Sequence, residues 1–324
     1  MTSWQAMDGS DVGRIAKLAG DSARFARSTV PFINARTAFK AFLLEQSFSP
    51  TAEVLLPAYI GWSSREGSGV FDPVMEVGVR FKFYHLDDHL SIDLDDLRSQ
   101  LSSGCPRLVV FIHYFGFPDQ NLAQAVALAR EYETLILEDE AHALYSDWIG
   151  GVCGRFGDAA IMSLHKMLPY QSGGLLVLNA SVDKMSADRL SNSPLQLPLE
   201  TSPLDYDLLG IAKARRANAA RLLELLPQLH GKVEPLFPAL PDGVIPQTLP
   251  VLISGQSRDE LYHELNDHGY GVVSLYHTLI SAVSPVEFPE LHYLARHIMN
   301  LPVHQDIQTG QLEAMVSCLG QLLQ

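Results

Sequence analysis

The feature that most constrains this chain is a repeated alternation, in which short apolar runs are separated by stretches with apolar residues at helical spacing. The runs EVLLP (53–57), RFKFY (80–84), LVVFIH (108–113) and LILE (135–138) are too short for helices and read as strands. Between them, helices are predicted at 35–46, 71–77, 92–101 and 121–132. Strands that are apolar on both sides, alternating with helices, mean an α/β fold: a mostly parallel central sheet covered by helices on both faces. In such sheets the ligand sits beyond the carboxyl ends of the strands, so chemistry is sought there.

Two further strands are expected within 159–177, flanking a loop. The Pro- and Ser-rich stretch 191–204 reads as a linker, followed by a long helix at 206–227 that Pro227 ends. A strand at 249–253, a helix at 257–268, a strand at 271–275 and a closing helix at 308–323 complete the prediction. A chain of 324 residues exceeds the usual size of one core. The expected division is therefore a large α/β domain over 1–195 and a smaller α+β C-terminal domain over 196–324. Residues 1–30 form an N-terminal arm, with 14–26 expected to be helical.

Net charge is −14 with the acidic residues scattered, which argues against nucleic acid and anionic membranes as partners; it says nothing of the substrate, and a small-molecule substrate is expected on other grounds. The three cysteines, Cys105, Cys153 and Cys318, are far apart and show neither disulfide nor zinc spacing, so no metal is expected. The first twenty residues hold no apolar core of the signal-peptide kind, and the longest apolar stretch, 108–117, is far short of a membrane span. The expected location is cytoplasmic.

Two strand ends carry the chemistry. LILEDEAHAL runs a buried strand into Asp139, with His142 three residues on. IMSLHKMLPYQSGG delivers Ser163, His165 and Lys166 from a short apolar run toward a glycine pair. Lys166 follows Asp139 by 27 residues, enough for a loop and a return strand, so both can face one pocket. Such a pair suits pyridoxal 5'-phosphate (PLP). A sheltered lysine amine forms an imine with the cofactor aldehyde, and a carboxylate keeps the ring nitrogen protonated so that the ring accepts electrons. The same lysine is the natural base for proton transfer. Ala35, Arg36 and Thr37, at the head of the first strong helix, and Ser163 suit the cofactor phosphate. Taken singly, an aspartate after a strand is a common helix cap and a lysine a common solvated group. The pattern gains force only as a set.

From about residue 34 onward the chain resembles the DegT-type aminotransferases, PLP enzymes known for aminating keto groups of nucleotide-linked sugars. The resemblance rests on ARTAF, EVLLPAYI, HYFGFP, EDEAHA, GRFGDAAIMSLHK, ARRANAARLLELL, LYHTLI and LARHIMNLPVH, in that order. It implies the fold-type I PLP-transferase architecture, a homodimer, Lys166 as the Schiff-base lysine and Asp139 as the partner of the ring nitrogen. It implies His142 beside the cofactor's ring hydroxyl, and Ser163, Arg36 and Thr37 at the phosphate. It implies that Gln171 and Ser172 contribute to the neighbouring subunit's site, and that Tyr276, His277 and His304 face the substrate. It implies glutamate as amino donor and a keto-sugar as acceptor. The position four after Pro57, where many members place an aromatic ring on the cofactor, is Gly61 here, which leaves Trp62 or Tyr59 for that task, or no aromatic cover at all. Ala35 stands where a glycine is usual, and Ser163 precedes Lys166 by three residues where many members have five.

Rival readings remain. A PLP lyase or dehydratase fits the same scaffold, although family dehydratases replace the lysine by histidine and Lys166 is present beside His165. A non-catalytic regulatory relative is the other, against which intact Lys166 and Asp139 stand. Ser163 to Lys166 also matches S-x-x-K, but the S-D-N and K-T-G partners of that chemistry are missing. His85 and His89 read as a solvated loop, and the glycines at 150–157 do not form a dinucleotide fingerprint. His113 ends a strand near the crevice, either contacting ligand or capping the turn, and Arg215 and Arg216 read as a solvated or dimer-contact face.

Overall fold

A computed structural model describes residues 27–104, 106–179, 184–199, 201–308 and 310–324. The helix expected at 14–26 and Cys105 lie outside the described residues. The first lobe is built on a seven-stranded sheet of order β1-β7-β6-β5-β4-β2-β3. Its strands are β1 (Ser28–Phe32), β2 (Glu53–Pro57), β3 (Arg80–Tyr84), β4 (Leu108–Ile112), β5 (Leu135–Asp139), β6 (Ala159–Ser163) and β7 (Gly174–Leu178). β3, β2, β4, β5 and β6 are parallel, whereas β7 runs antiparallel to both β6 and β1.

Successive strand residues point to opposite faces, and all five residues of β4, β6 and β7 are buried. Both faces are therefore covered, as the apolar runs require. The helices are α1 (Ala35–Glu45), α2 (Phe71–Val77), α3 (Leu94–Gly104), α4 (Leu122–Glu131), the short α5 (Leu144–Trp148) and α6 (Lys184–Ser191). α1 packs on α2, β6 and β7, while α3 and α4 pack on each other and on β3 and β5. α3 starts at Leu94, two residues later than its apolar pattern suggested. Asp93 Oδ1 accepts from the Asp95 and Asp96 amides, both at 3.0 Å, and so fixes the first turn.

The second lobe carries an antiparallel sheet of order β10-β9-β8, from β8 (Val233–Pro235), β9 (Thr248–Ile253) and β10 (Ile298–Pro302). α7 (Leu208–Leu225), α8 (Arg258–Asp267), α9 (Pro289–His297) and α10 (Gln311–Leu322) pack against it and one another. The strand expected at 271–275 does not form. Gly269 and Gly271 hold positive φ on either side of Tyr270, and Val273 makes only an isolated bridge to Asn300. The linker expected at 191–204 begins on the last residue of α6, and Gln196 still bridges Phe32 at the end of β1.

Arg215 and Arg216 are also not a solvated face. Arg215 is buried, donates from Nη1 to the Gln247 carbonyl at 3.0 Å and lies over the Tyr145 ring. Arg216 donates to the carbonyls of Pro241, Val244 and Leu240. These arginines staple α7 to the irregular strap at 240–247. Ser146 ties the same strap to the first lobe, donating to Gly116 O at 2.7 Å and accepting from the Ile245 amide at 2.9 Å. Among the described residues no helix is long and apolar enough to cross a membrane.

Candidate active site

The chain runs from β2 outward to β3, then back past β2 to β4, so the order of strands reverses between β2 and β4. Crevices form at such reversals, beyond the carboxyl ends of the strands. A cavity of about 490 Å³ lies there. It is floored by residues at or just past four strand ends, namely Ile60, Ile112, Asp139 and Ser163.

Lys166 enters this cavity from the connection between β6 and β7. The connection is pinned at its base by the Ser163–Gly174 register pair and by the Leu164 amide donating to Gly173 O at 2.9 Å. The chain then tightens into a single 3₁₀ turn over Leu164–Lys166. Lys166 Nζ lies 3.1 Å from His142 Nε2. Burial lowers its pKa from the ordinary lysine value; the nearby Asp139 and Glu66 charges oppose that shift and Arg36 adds to it. The amine thus loses its proton more readily than a surface lysine.

Asp139 closes β5, is almost wholly buried and accepts from the Ala141 amide at 2.8 Å through Oδ1. Burial raises its pKa, against the Ala141 hydrogen bond and the charge of Lys166. His142 is buried with its ring stacked on Phe115 and edge-on to Tyr276. Burial, then the neighbouring Lys166 charge, pushes its pKa well down, so the imidazole is neutral. Its Nε2 is therefore available to accept from Lys166, and Nδ1 is buried with no hydrogen-bond partner.

At the other end of the cavity, α1 begins. Asn34 caps it, taking the Thr37 amide at 2.8 Å and the Thr37 hydroxyl at 3.0 Å on Oδ1. Ala35 and Arg36 line the cavity; Thr37 is not among the lining residues and its N–H is already used. The helix start is held against β7 by close approach at Gly174, where a Cβ would lie 2.1 Å from the Asn34 carbonyl carbon. Ser163 Oγ sits 3.2 Å from His165 Nδ1, and both line the cavity.

The remaining expected residues divide. Gln171 and Ser172 line the cavity of their own chain. Trp62 is 45% exposed at its mouth, and Tyr276 and His277 close it from the second lobe. His304 lies elsewhere, 3.6 Å from Asp306. His113 does not line the cavity either: its fully buried ring points back to Glu138, Nε2 to Oε2 at 2.8 Å. His85 and His89 face Glu290 and the Leu236 carbonyl and form no pair.

Tyr276 holds a position that strand and helix patterns gave no reason to expect. A Cβ on Gly61 would come within 3.0 Å of its Cδ1, so the ring fills the space a side chain at 61 would need. Tyr59, considered for the cofactor face, lies behind it, stacked at 5.5 Å and donating to the Tyr276 carbonyl. Both Tyr276 and Phe115 adopt φ of 57°, a left-handed conformation costly for aromatic residues, and their rings meet edge-on. Sequence reasoning also passed over Glu138, which accepts from the Gly154, Phe156 and Gly157 amides as well as from His113. Burial would raise its pKa, but the His113 bond and these amides bring it below the ordinary value.

These residues fit a cofactor with an aldehyde, a basic ring nitrogen and a phosphate. A poised amine, a buried carboxylate short of a cation, an imidazole with an unmatched nitrogen and a helix start converge on one cavity.

A profile of the DegT/DnrJ/EryC1/StrS aminotransferase family matches residues 2–197. A dTDP-4-amino-4,6-dideoxy-D-glucose transaminase of Shigella dysenteriae is 24% identical over 245 residues. That alignment covers 65% of this chain and 65% of the relative, slightly under two thirds of its length. A dTDP-4-dehydro-2,3,6-trideoxy-D-glucose 4-aminotransferase of Saccharopolyspora spinosa is 23% identical, covering 88% of this chain and 82% of that protein. Among solved structures, the PMP form of Streptococcus pneumoniae Spr1654 superposes with a TM-score of 0.75 at 16% identity, over 97% of this chain and 89% of that one. At that identity the likeness speaks to the fold. With more than half its length under the family profile, the chain belongs to the DegT/DnrJ/EryC1/StrS aminotransferases, a PLP-dependent family.

Proposed function

We propose that this protein is an aminotransferase that takes an amino group from glutamate and delivers it to a keto group on a nucleotide-linked sugar. The observation that carries the proposal is the meeting of Lys166, Asp139 and His142 in one cavity at the strand ends. Bound PLP supplies an aldehyde to hold the amino group and a ring to take up the electron pair left when the substrate carbon loses its proton.

In this reading Lys166 is the attachment point, and its lowered pKa supplies the unprotonated amine that attachment requires. Released from that attachment, Lys166 would be the base placed to take the proton from the substrate carbon and to return it. His142 holds Lys166 Nζ through Nε2 and lines the cavity beside it, where it would flank the bound ring. Asp139, whose buried carboxylate makes no ion pair among the described residues, would pair with the protonated ring nitrogen. The start of α1 with Ala35 and Arg36, together with Ser163, receives the phosphate.

Beyond the start of α1, Arg65, Trp62 and His277 line the cavity and suit an anionic nucleotide-linked acceptor. The names of the two curated relatives support the same class of acceptor. The working form in this reading is a cytoplasmic homodimer, with Gln171 and Ser172 near the partner subunit's site.

The test is a half-reaction. Cofactor-loaded protein mixed with glutamate should lose its aldehyde-form absorbance and release 2-oxoglutarate, and a dTDP-linked 4-keto-sugar should restore the starting spectrum. Lys166→Ala should bind cofactor without the lysine-linked band and perform neither half. A wild-type protein that takes up no PLP at saturating cofactor would end the proposal.

A further inference from the structure

Behind the cavity lies a second cluster that the aminotransferase reading does not use. A ring nitrogen of His113, a carboxylate oxygen of Glu140 and the sulfur of Cys153 lie within 4.8 Å of one another, and all three residues are buried. None of them lines the cofactor cavity. We propose that His113, Glu140 and Cys153 form a buried zinc site that ties together the ends of β4 and β5 and the loop before β6.

The first support is unmet bonding. Nδ1 of His113 is buried without a hydrogen-bond partner, and the fully buried Glu140 carboxylate has only the weak thiol donor of Cys153 beside it. A buried carboxylate so poorly matched is costly, and a cation held between the three groups removes the cost.

The second is the orientation of His113. Its Nε2 is occupied by Glu138 Oε2 at 2.8 Å, which leaves Nδ1 as the open donor. Glu138 is itself fixed by the amides of Gly154, Phe156 and Gly157. A carboxylate that sets the far nitrogen of a histidine ligand is the usual outer support of a zinc site.

The third is charge. Around the cluster, Glu138, Glu140 and Asp147 face Arg27 and Arg155, which both bind Asp147. Burial and the neighbouring carboxylates push Glu140 and Cys153 toward their neutral forms; ionised as ligands they would add two negative charges, which one divalent cation would neutralise. The fourth is space. Gly154 has φ of 75°, and a Cβ there would lie 2.3 Å from Glu140 Oε1 and 2.7 Å from Asp147 Oδ2, so only glycine keeps this cradle open.

An imidazole, a thiolate and a carboxylate favour zinc over magnesium or calcium, with a fourth position left to water. No local spacing announces such a site because its ligands come from three separate segments.

Full-length protein treated with chelator and then titrated with cobalt should bind one equivalent, with tetrahedral visible bands and a thiolate charge-transfer band, and zinc should displace it. Cys153→Ser should remove the charge-transfer band, Cys318→Ser should leave it intact, and Glu140→Gln should weaken cobalt binding by about tenfold or more. Wild-type crystals grown with zinc should show an anomalous peak between the three side chains, a readout that no variant's folding can spoil. The proposal is overturned by a charge-transfer band that survives Cys153→Ser, by the lack of any stoichiometric binding, or by zinc-grown crystals without density at that point. None of these readouts depends on transamination, so the zinc site and the proposed activity stand or fall separately.

Discussion

The packing of Tyr276 into the space beside Gly61 gives a sharp prediction for Gly61→Ala. The added Cβ would lie 3.0 Å from Tyr276 Cδ1, where ordinary contacts begin at 3.4 Å, so the ring must give by about 0.4 Å. It has little freedom to do so. Tyr59 stacks on it at 5.5 Å, and Tyr114, Phe115 and His142 meet it edge-on at 5.3, 5.5 and 5.7 Å. Overpacking of this kind costs about 1–3 kcal/mol. Gly61 is not in the left-handed region, so alanine recovers about 0.4–1 kcal/mol by restricting the unfolded chain. The net loss is about 1 kcal/mol, which for a chain of 324 residues lowers Tm by about 1–2 °C. Thermal unfolding of wild type, Gly61→Ala, Tyr276→Ala and the double variant should show the penalty only while the Tyr276 ring is present. If Gly61→Ala melts no lower than wild type, or loses equally in both backgrounds, the ring does not occupy that space.

Two further outcomes follow from the electrostatics. Lys166 has a folded-state pKa below the ordinary 10.5, so the unfolded chain binds the extra proton between the two values and stability rises with pH across that interval. Amine-reactive labelling of apoprotein should therefore reach its plateau at Lys166 at lower pH than at surface lysines. Asp139→Asn should move that profile lower still, because the carboxylate holds the ammonium up; a move upward would contradict the assigned geometry. Glu138 has a folded pKa below 4.5, so its stabilisation is present above pH 4.5 and is lost as pH falls through the depressed value. Glu138→Gln should cost about 3 kcal/mol at neutral pH and flatten the acid limb of urea midpoints; an unchanged limb would show that another group controls it.

The large lobe was legible because its strands are short, apolar and separated by amphipathic helices, and β2 and β3 coincide with the segments expected. β1 was not, since STVPF is recognisable as a strand only through its antiparallel ladder with β7. The reversal of β7 is equally invisible in GLLVL, which would suit a strand of either direction. At 271–275 local β-formers suggested a strand, but Gly271 turns the chain at positive φ and only Val273 pairs, as a single bridge to Asn300 on the outer edge of β10. Lys166 and Asp139 could be located because a strand end identifies the crevice. For His113 the same logic left two readings open, ligand contact or the turn; its backbone at φ −89° and ψ 81° starts the 114–116 turn and its ring goes back to Glu138 rather than into the cavity. The placement of Tyr276 depends on a partner 217 positions earlier and on a left-handed backbone at a non-glycine residue, neither of which has a local signature.

The cavity has two origins along the chain. Lys166, Asp139 and His142 lie within residues 2–197, whereas the Ser274–His277 wall comes from beyond them. Under the proposed function, selection can therefore remodel the later wall while the floor that holds Lys166 and Asp139 stays untouched. In that reading, chimeras that exchange only the later segment offer a direct route to new acceptors.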